Sequence, residues 1–411
     1  MKNKAKPFLF LNVLIYFIFM ILHPRVSMYT EIAVGLLLVV LIVAMMYGVF
    51  HATRVNILIF CLVLYYFFQA TISGGVVAGL SYSLSFLVTL SPLLLADLFF
   101  LSDVFTRREK KIFIFVISIC FIYCIVSSLI YLNTNSMAVR EMASASGEIS
   151  FSLQGIGGGY VLLFALVAFA PLFIYCFKVF EKIYVKIISL FIWMTIEYFI
   201  FKCDVTIAFV LSLIFSFITL FIGNRKKFII GSACVFLFLI SAFLIIKNSV
   251  ADFSLSAFNG TYIGIRLTSL FEGDVTAGGR MQLISKSTEA IINYPLFGAG
   301  VKYGFNYYDI NRVVGNHSDF FDIPAKLGIP FAIIFLLVFV SMSKKLIDTF
   351  DSCNKKHLFI ILLMMMLIAS ILDPILTTNM LMSIFVFIPL FFNFFDSLNT
   401  NLFRRSQFVY N

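Results

Sequence analysis

The chain contains 411 residues, of which 62% are hydrophobic and only 12% are charged, and its mean hydropathy is +1.05. Soluble domains are about half apolar and about a quarter charged, so this composition excludes an ordinary soluble enzyme and a disordered chain. The apolar residues form continuous runs without the alternation of a membrane-spanning barrel. The net charge of +10 does not indicate nucleic acid, because no basic stripe with interleaved aromatic residues lies outside these runs. We therefore predict an all-α polytopic membrane bundle that binds no nucleic acid.

About 15–25 apolar residues allow a helix to cross a hydrocarbon core that is about 30 Å thick. Twelve runs of this kind occur along the chain, with one long polar loop that contains a short helix. An even number of spans leaves both termini on the same side of the membrane. The predicted spans are residues 8–22, 32–50, 55–72, 80–101, 112–132, 151–177, 187–201, 205–222, 228–246, 327–342, 358–376 and 380–395.

The distribution of basic residues predicts the orientation of these spans. With the N-terminus inside, 20 of the 30 Lys and Arg residues lie in short cytoplasmic segments. Only Arg25, Arg140 and Lys202 lie in short external segments, and the remaining seven lie in the long loop. Because basic residues concentrate on the cytoplasmic side of membrane proteins, both termini are predicted to be cytoplasmic.

The long polar loop, residues 247–326, is predicted to be external and functional, since a connector of this length is otherwise unusual. We divide the chain into spans one to nine (1–246), this catalytic loop, and spans ten to twelve with a cytoplasmic tail (327–411). An amphipathic helix is predicted over residues 281–292, ending at Asn293-Tyr294-Pro295. One face of that helix carries Ile284, Ser287, Thr288 and Ile291.

His317 is the histidine with the most polar surroundings, and it lies near the end of the loop. Asn316 or Ser318 can cap a helix that starts at this point. The positive end of a helix dipole favours a neutral imidazole, and a neutral imidazole can accept a proton. His317 is therefore a candidate general base, and the alternative is a surface or capping histidine.

Arg266 and Arg280 flank a glycine-containing stretch of the same loop. A guanidinium group is a planar fork that binds phosphate, and two such forks suit a pyrophosphate. The alternative interpretation pairs these arginines with the neighbouring Glu272 or Asp274.

Lys202 lies in a very short external link between the seventh and eighth spans. A charge near membrane depth usually has a partner or a function, and Asp204 can serve as that partner. Arg140, in the external loop 133–150, is a further accessory candidate. Asp319 and Asp322 are accessory candidates as well. As a pair they form a weak pattern for a divalent ion, but a solvated helix start is the favoured interpretation, so no metal or cofactor is predicted.

Several loop features occur in a familiar order: Gly279-Arg280, a helix, Pro295-Leu296-Phe297-Gly298-Ala299-Gly300, Asn316-His317-Ser318, and Lys326-Leu327-Gly328-Ile329 before a span. This order resembles the O-antigen ligase and polymerase family of bacterial surface-glycan enzymes. The resemblance covers about residues 266–340 at the level of motifs. Family members often carry a Ser-Arg pair where this chain has Lys202-Cys203-Asp204. They also carry a Gly-x-x-Gly pattern where this chain begins Gly328-Ile329-Pro330 and lacks the second glycine.

The resemblance implies a metal-independent, inverting glycosyltransferase of the inner membrane, with its active site on the outer face. Its donor and acceptor would be glycans linked to undecaprenyl pyrophosphate. It further implies that His317 is the base, that Arg280 acts in catalysis, and that Arg266, Arg280 and Lys202 bind the pyrophosphate. The order Asn-His-Ser favours a Wzy-type polymerase of O-antigen or capsular repeat units, with which a chain-length regulator can act.

Two alternatives stay open at this stage. A ligase would transfer the finished glycan to lipid A–core or to a protein, as related family members do. A polysaccharide transporter or flippase would be expected to carry charged residues or broken helices near the membrane midplane in both halves. The unusual polarity of this chain is instead concentrated in one loop, which favours catalysis over transport.

Overall fold

Apolar runs that contact lipid become helices because helical hydrogen bonds satisfy the backbone where no water is present. The computed structural model describes residues 2–22, 29–50, 52–101, 104–132, 159–203, 205–223, 276–300, 314, 318–372 and 376–392, and no strand occurs among them. The helices in this part of the chain are α1 Lys2–Leu22, α2 Tyr29–Met46, α3 Arg54–Leu95, α4 Arg107–Leu132, α5 Gly159–Val179, α6 Ile183–Lys202, α7 Thr206–Thr219, α8 Thr276–Asn293, α9 Asp319–Leu327, α10 Ile329–Thr349, α11 Cys353–Leu372 and α12 Thr378–Phe392.

Seven helical segments in the described ranges are long and apolar enough to cross a membrane. Shorter apolar helices lie at Pro7–Leu22, Glu31–Met46, Ile207–Thr219 and Thr378–Phe392. The structure thus confirms a polytopic helical membrane protein. The count of twelve spans stays a prediction, because the predicted span 228–246 lies outside the described residues.

Helix α3 contains two of these membrane segments, Arg54–Ile72 and Gly74–Leu98, joined at a kink. At the kink Gly75 has φ 84° and ψ 172°, a conformation that is essentially restricted to glycine. The third and fourth predicted spans therefore meet with almost no connecting loop.

The outer surface of the bundle is apolar. Helix α4 exposes Phe115 (67%), Ile122 (58%) and Ile130 (68%) on one face, while Phe113 and Ile117 on the opposite face are buried. Large apolar side chains repeat on the exposed faces of α6 and α10 as well. Contiguous exposed apolar surface of this extent requires a hydrocarbon environment.

Helix α12 lies at the centre of the bundle, where every residue from Asn379 to Phe392 is buried. It contains a π-helical turn, Ser383–Phe387, and its first turn packs against α3 and α5. A second π-helical turn, Ala96–Phe100, continues α3.

At one end of the bundle, buried Asp97 pairs with Lys345 and accepts a hydrogen bond from Thr53. The ion pair joins α10 to the π-helical turn that follows α3, and the hydrogen bond from Thr53 joins that turn to the start of α3. At the same end Lys110 donates to the carbonyl of Phe100 (3.0 Å). Two lysines thus lie at the end of the bundle that the charge distribution predicts to be cytoplasmic.

Candidate functional site

The opposite end of the bundle carries the segments that the loop motifs predict to be functional. The turn that follows α8, residues 294–300, lies against the end of α9 and the start of α10. Motif segments that are separated by about 25 residues in the sequence therefore form one hydrogen-bonded unit, which we call the motif junction. Three backbone hydrogen bonds join it: Ala299 N to Ala325 O (2.8 Å), Gly300 N to Lys326 O (3.1 Å) and Ile329 N to Pro295 O (2.8 Å).

Two glycines allow the backbones at the motif junction to approach each other closely. Gly298 has φ 70° and Gly328 has φ 86°. A Cβ atom at Gly298 would overlap the backbone of Lys326, and one at Gly328 would overlap the carbonyl of Leu296. The glycines of the two motifs thus have a steric role, since each faces the other motif.

Tyr65 of α3 ties the motif junction to the bundle. Its hydroxyl lies 2.9 Å from the carbonyl oxygen of Leu327 and 3.2 Å from that of Leu296, so one donor contacts both segments of the junction. Gln69, one turn further along α3, donates to the Tyr65 oxygen (3.3 Å). Sequence analysis missed Tyr65, because an aromatic residue within an apolar run has no signal that separates it from core residues.

Helix α8 packs against α9 through a buried polar contact. The hydroxyl of Ser287 donates to Oδ1 of Asp322 at 2.5 Å. Ser287 and Asp322 are 0% and 5% exposed, and a small apolar cluster of Ala290, Val314 and Ala325 lies beside them. Ser287, in the middle of the loop helix, therefore lies in a contact between two helices and not on a solvated face.

The loop helix differs in detail from the prediction. It begins at Thr276, not at residue 281, so Arg280 lies within the helix and not before it. Gly278 and Gly279 favour a turn by propensity, but the helix extends through both of them. The predicted face also included Thr288, which is exposed, whereas Ser287 and Ala290 are buried.

Ser318 is the N-cap of α9, which confirms that a helix starts directly after His317. Its hydroxyl oxygen accepts from the N–H of Phe321 (3.4 Å) and its hydroxyl donates to the carbonyl of Ser370 in α11 (3.1 Å). Its own N–H donates to Oδ2 of Asp322 at 2.9 Å. Ser318 is thus hydrogen-bonded to three other residues and is only 2% exposed to solvent.

The carboxylates of Asp319 and Asp322 have separate hydrogen-bond partners. Oδ2 of Asp319 accepts from the N–H of Leu376 (2.7 Å), whereas both oxygens of Asp322 accept from Ser287 and Ser318. The interpretation as a solvated helix start is therefore wrong for Asp322, which is buried. Within the described ranges, no cluster of three or more His, Cys, Asp or Glu side chains is arranged to hold one ion.

An apolar cavity of about 380 Å³ lies between α9, α10 and α11, directly beside the motif junction. Ile333 and Leu336 of its lining are more than half exposed on the bundle surface, so the cavity opens sideways. It extends from Asp319, two residues after His317, towards Phe339 and Met366 deeper in the bundle. Such a cavity can accommodate a chain of hydrocarbon that enters from the bilayer.

A second, more polar cavity of about 260 Å³ lies on the other side of α9, towards α3 and α12. Asp319, Asp322 and Lys326 line it from α9, and Tyr66 and Thr89 line it from α3. The two cavities share Asp319, Ile323, Phe335 and Leu376. An apolar and a polar cavity therefore meet at the first turn of α9.

The predicted cationic residues are described to different extents. Lys202 ends α6, and its ammonium group lies 5.8 Å from the centroid of the Tyr198 ring. Position 280 lies in α8, and its side chain is not among the described atoms. Arg140, Arg266 and His317 lie outside the described residues, so their proposed roles stay predictions.

Comparison with protein families gives one match to the chain. A family model described as O-antigen ligase matches residues 204–336, which include α7, the long loop, α9 and the first part of α10. No curated protein matches the chain. The matched range includes both segments of the motif junction, Ser318 and Asp322, whereas Tyr65 and Ser370 lie outside it.

Proposed function

Because the chain carries the domain of the O-antigen ligase and polymerase family, we propose that it is a membrane-embedded inverting glycosyltransferase that polymerises glycan repeat units. The repeat units would be linked to undecaprenyl pyrophosphate, and the product would be O-antigen or capsular polysaccharide. The order Asn316-His317-Ser318 favours the polymerase within this family. The family description, which names a ligase, favours transfer to lipid A–core or protein as the second candidate.

The observation that carries the proposal is the apolar cavity between α9, α10 and α11. A polyprenyl chain is a hydrocarbon and stays in the bilayer, whereas its pyrophosphate and sugars lie in the polar layer. The cavity opens to the side of the bundle and reaches Asp319 at the start of α9. This arrangement suits a substrate that carries a lipid tail and a polar head, with the head placed beside the start of α9, which follows His317.

The proposed reaction requires one proton transfer and one displacement. A hydroxyl oxygen of the acceptor attacks the anomeric carbon of the donor from the face opposite the pyrophosphate. The bond from that carbon to the pyrophosphate oxygen breaks, and its electron pair leaves with undecaprenyl pyrophosphate. His317 takes the proton of the acceptor hydroxyl, as a positioned general base does.

Arginines serve the leaving group in this proposal. Negative charge grows on the departing pyrophosphate, and cations placed in advance stabilise it. Positions 280 and 287 differ by seven residues, which is close to two helical turns, so they share one face of α8 at about 10 Å along the axis. Because Ser287 contacts α9, we assign Arg280 to the face of α8 that is directed towards the same site. Arg266 and Lys202 would supply further charge, and Arg140 an accessory charge.

The proposed orientation puts this chemistry on the outer face of the inner membrane. The end of the bundle with Asp97, Lys345 and Lys110 would then be cytoplasmic, in agreement with the positive-inside rule. Helices α8 and α9 lie at the end where α10 begins and α11 ends, which is the opposite one. A chain-length regulator in the same membrane is an expected partner.

The test is to delete the gene and to separate the surface glycans by size. Loss of the polymerase leaves products with a single repeat unit, whereas loss of a ligase leaves full-length chains on the carrier lipid. Complementation with wild type should restore the long chains. Complementation with His317→Ala should not restore them, although the variant is present in the membrane in equal amount. A normal glycan in the deletion strain would refute the proposed function.

A further inference from the structure

We propose that Asp322 and Ser287 are positioning residues that hold the peptide bond following His317 in place and fasten it to the loop helix α8. This inference rests on the proposed function, since it assigns to His317 the role of the base. Neither residue would touch the substrate. Both would act through the placement of residue 317.

The first argument is the location of the bound N–H group. The Ser318 nitrogen belongs to the peptide bond that joins Ser318 to His317, and its N–H donates to Oδ2 of Asp322 at 2.9 Å. Ser318 is additionally held by its contact with the carbonyl of Ser370 at 3.1 Å. The chain that leaves His317 is therefore fixed within one residue, by contacts from both α9 and α11.

The second argument is that these contacts exceed an ordinary helix cap. In a capping box the N-cap side chain binds an N–H of the first turn, and a side chain of that turn binds the N-cap N–H. The Ser318 hydroxyl accepts from the N–H of Phe321, and the Ser318 N–H donates to Asp322, one residue beyond the position that completes a capping box. Asp322 also uses its second oxygen to accept from Ser287, which lies 35 residues earlier in another helix. An isolated cap needs no such partner.

The third argument is burial. Ser287, Ser318 and Asp322 are 0%, 2% and 5% exposed. A buried carboxylate is costly unless it is well supplied with hydrogen bonds, so its position is strongly constrained by its donors. Because the donors come from α8 and from the N-cap of α9, Asp322 sets the distance between the helix of Arg280 and the start of α9, which follows His317. That distance decides whether base and arginine can act on one substrate.

The experiment compares the full-length variants Asp322→Ala, Asp322→Asn and Ser287→Ala in lipid nanodiscs. The probe is the lipid-linked repeat unit extracted from the deletion strain. Misplacement of a catalytic group by about 1 Å can reduce turnover about a hundredfold. We expect Asp322→Ala to lower kcat at least tenfold and Ser287→Ala severalfold, with KM for the probe changed less than twofold. Asp322→Asn keeps an acceptor for Ser318 and should recover part of the lost kcat.

Thr288→Ala is the matched control. Thr288 is the neighbour of Ser287, is exposed, and donates only within its own helix, to the carbonyl of Ile284 (2.9 Å). Its removal should leave kcat and KM unchanged. If Asp322→Ala does not fold, Ser287→Ala and Asp322→Asn decide the question, because both leave the capping interaction with Ser318 available.

The outcomes separate this inference from the proposed function. A wild-type kcat for Ser287→Ala and Asp322→Asn, or a loss that lies wholly in KM, would overturn the positioning role while His317→Ala stays inactive. A wild-type rate for His317→Ala would instead overturn the base itself. In the His317→Ala background, Asp322→Ala should reduce the residual rate no further. An additional loss as large as in wild type would indicate that Asp322 acts independently of His317.

Discussion

The substitution Gly328→Ala tests whether the motif junction is a steric requirement of the fold. Gly328 connects α9 to α10 with φ 86° and ψ 163°, a conformation that only glycine adopts readily. A Cβ atom at this position would also overlap the carbonyl of Leu296. Because the overlapping atoms belong to the backbone of Leu296, no side-chain rotamer change can relieve the overlap. The turn 294–300 would therefore have to move away from α9.

The magnitude follows from two contributions. The strained backbone costs about 1–3 kcal/mol for a residue with a side chain. Separation of the turn breaks three backbone hydrogen bonds, each with a net contribution of about 1 kcal/mol. The total loss is therefore about 4–6 kcal/mol. Gly75→Ala is the matched control, because Gly75 has φ 84° and ψ 172° but open space where the Cβ would lie. Gly75→Ala should therefore lose only the free energy of the strained backbone, and none of the three hydrogen bonds.

The assay measures how often the motif junction opens. A reporter thiol at Ala290→Cys, which is 2% exposed beside α9, should react with maleimide only when α8 and α9 separate. The exposed native Cys61 and Cys353 are replaced by serine in this background. A difference of about 3 kcal/mol corresponds to a labelling rate about a hundredfold higher in Gly328→Ala than in Gly75→Ala. Equal rates in the two variants, together with a wild-type distribution of glycan lengths, would refute the steric argument.

Three further predictions concern topology and chemistry. A thiol at Val275→Cys should react with an impermeant maleimide in intact cells, whereas the native Cys353 at the other end of the bundle should not. If Cys353 reacts and position 275 is protected, the orientation in the membrane is the reverse of the predicted one. Arg280→Glu should abolish polymerisation in a folded, inserted protein, because a carboxylate would face the pyrophosphate. Arg280→Lys should retain part of the activity, since the positive charge stays while the guanidinium fork is lost. Glycan length in complemented cells measures both effects, and full activity of Arg280→Glu would show that this residue is not part of the site. His317→Ala should lower turnover by about two to four orders of magnitude with donor KM unchanged, and wild-type activity should fall at acid pH as the imidazole takes up a proton. EDTA should leave the rate unchanged, and loss of activity that Mg²⁺ restores would instead assign a metal to the site.

The sequence predicted the class of the protein and the family of its loop with no knowledge of contacts. Apolar runs of sufficient length indicate membrane helices, and the structure confirms a helical membrane bundle. The order of the motifs around Arg280, Gly298, His317 and Gly328 led to the family, and the match over residues 204–336 confirms it. The start of α9 after His317 was also predictable, because serine is a common N-cap.

Other features could not be read from the chain. The predicted face of the loop helix contained both Ser287 and Thr288, and the sequence did not distinguish them although only Ser287 is buried. Asp319 and Asp322 looked equivalent in the sequence, yet Asp319 accepts a hydrogen bond from Leu376 and Asp322 accepts one from Ser287 of α8. Tyr65 lies about 230 residues before its acceptor in Leu296, and no local pattern encodes such a pair.

The sequence by itself predicted a helical membrane protein and the segment that carries the family motifs, because hydropathy and motif order are properties of residues near one another in the chain. Only the tertiary structure decided that the turn after α8 and the glycine after α9 interlock, that Asp322 joins α8 to the residue following His317, and that an apolar cavity opens beside them. These arrangements depend on which helices pack against each other. The apolar faces of membrane helices are chemically alike, so helix pairing is settled by close packing and a few buried hydrogen bonds, which exist only in the assembled bundle.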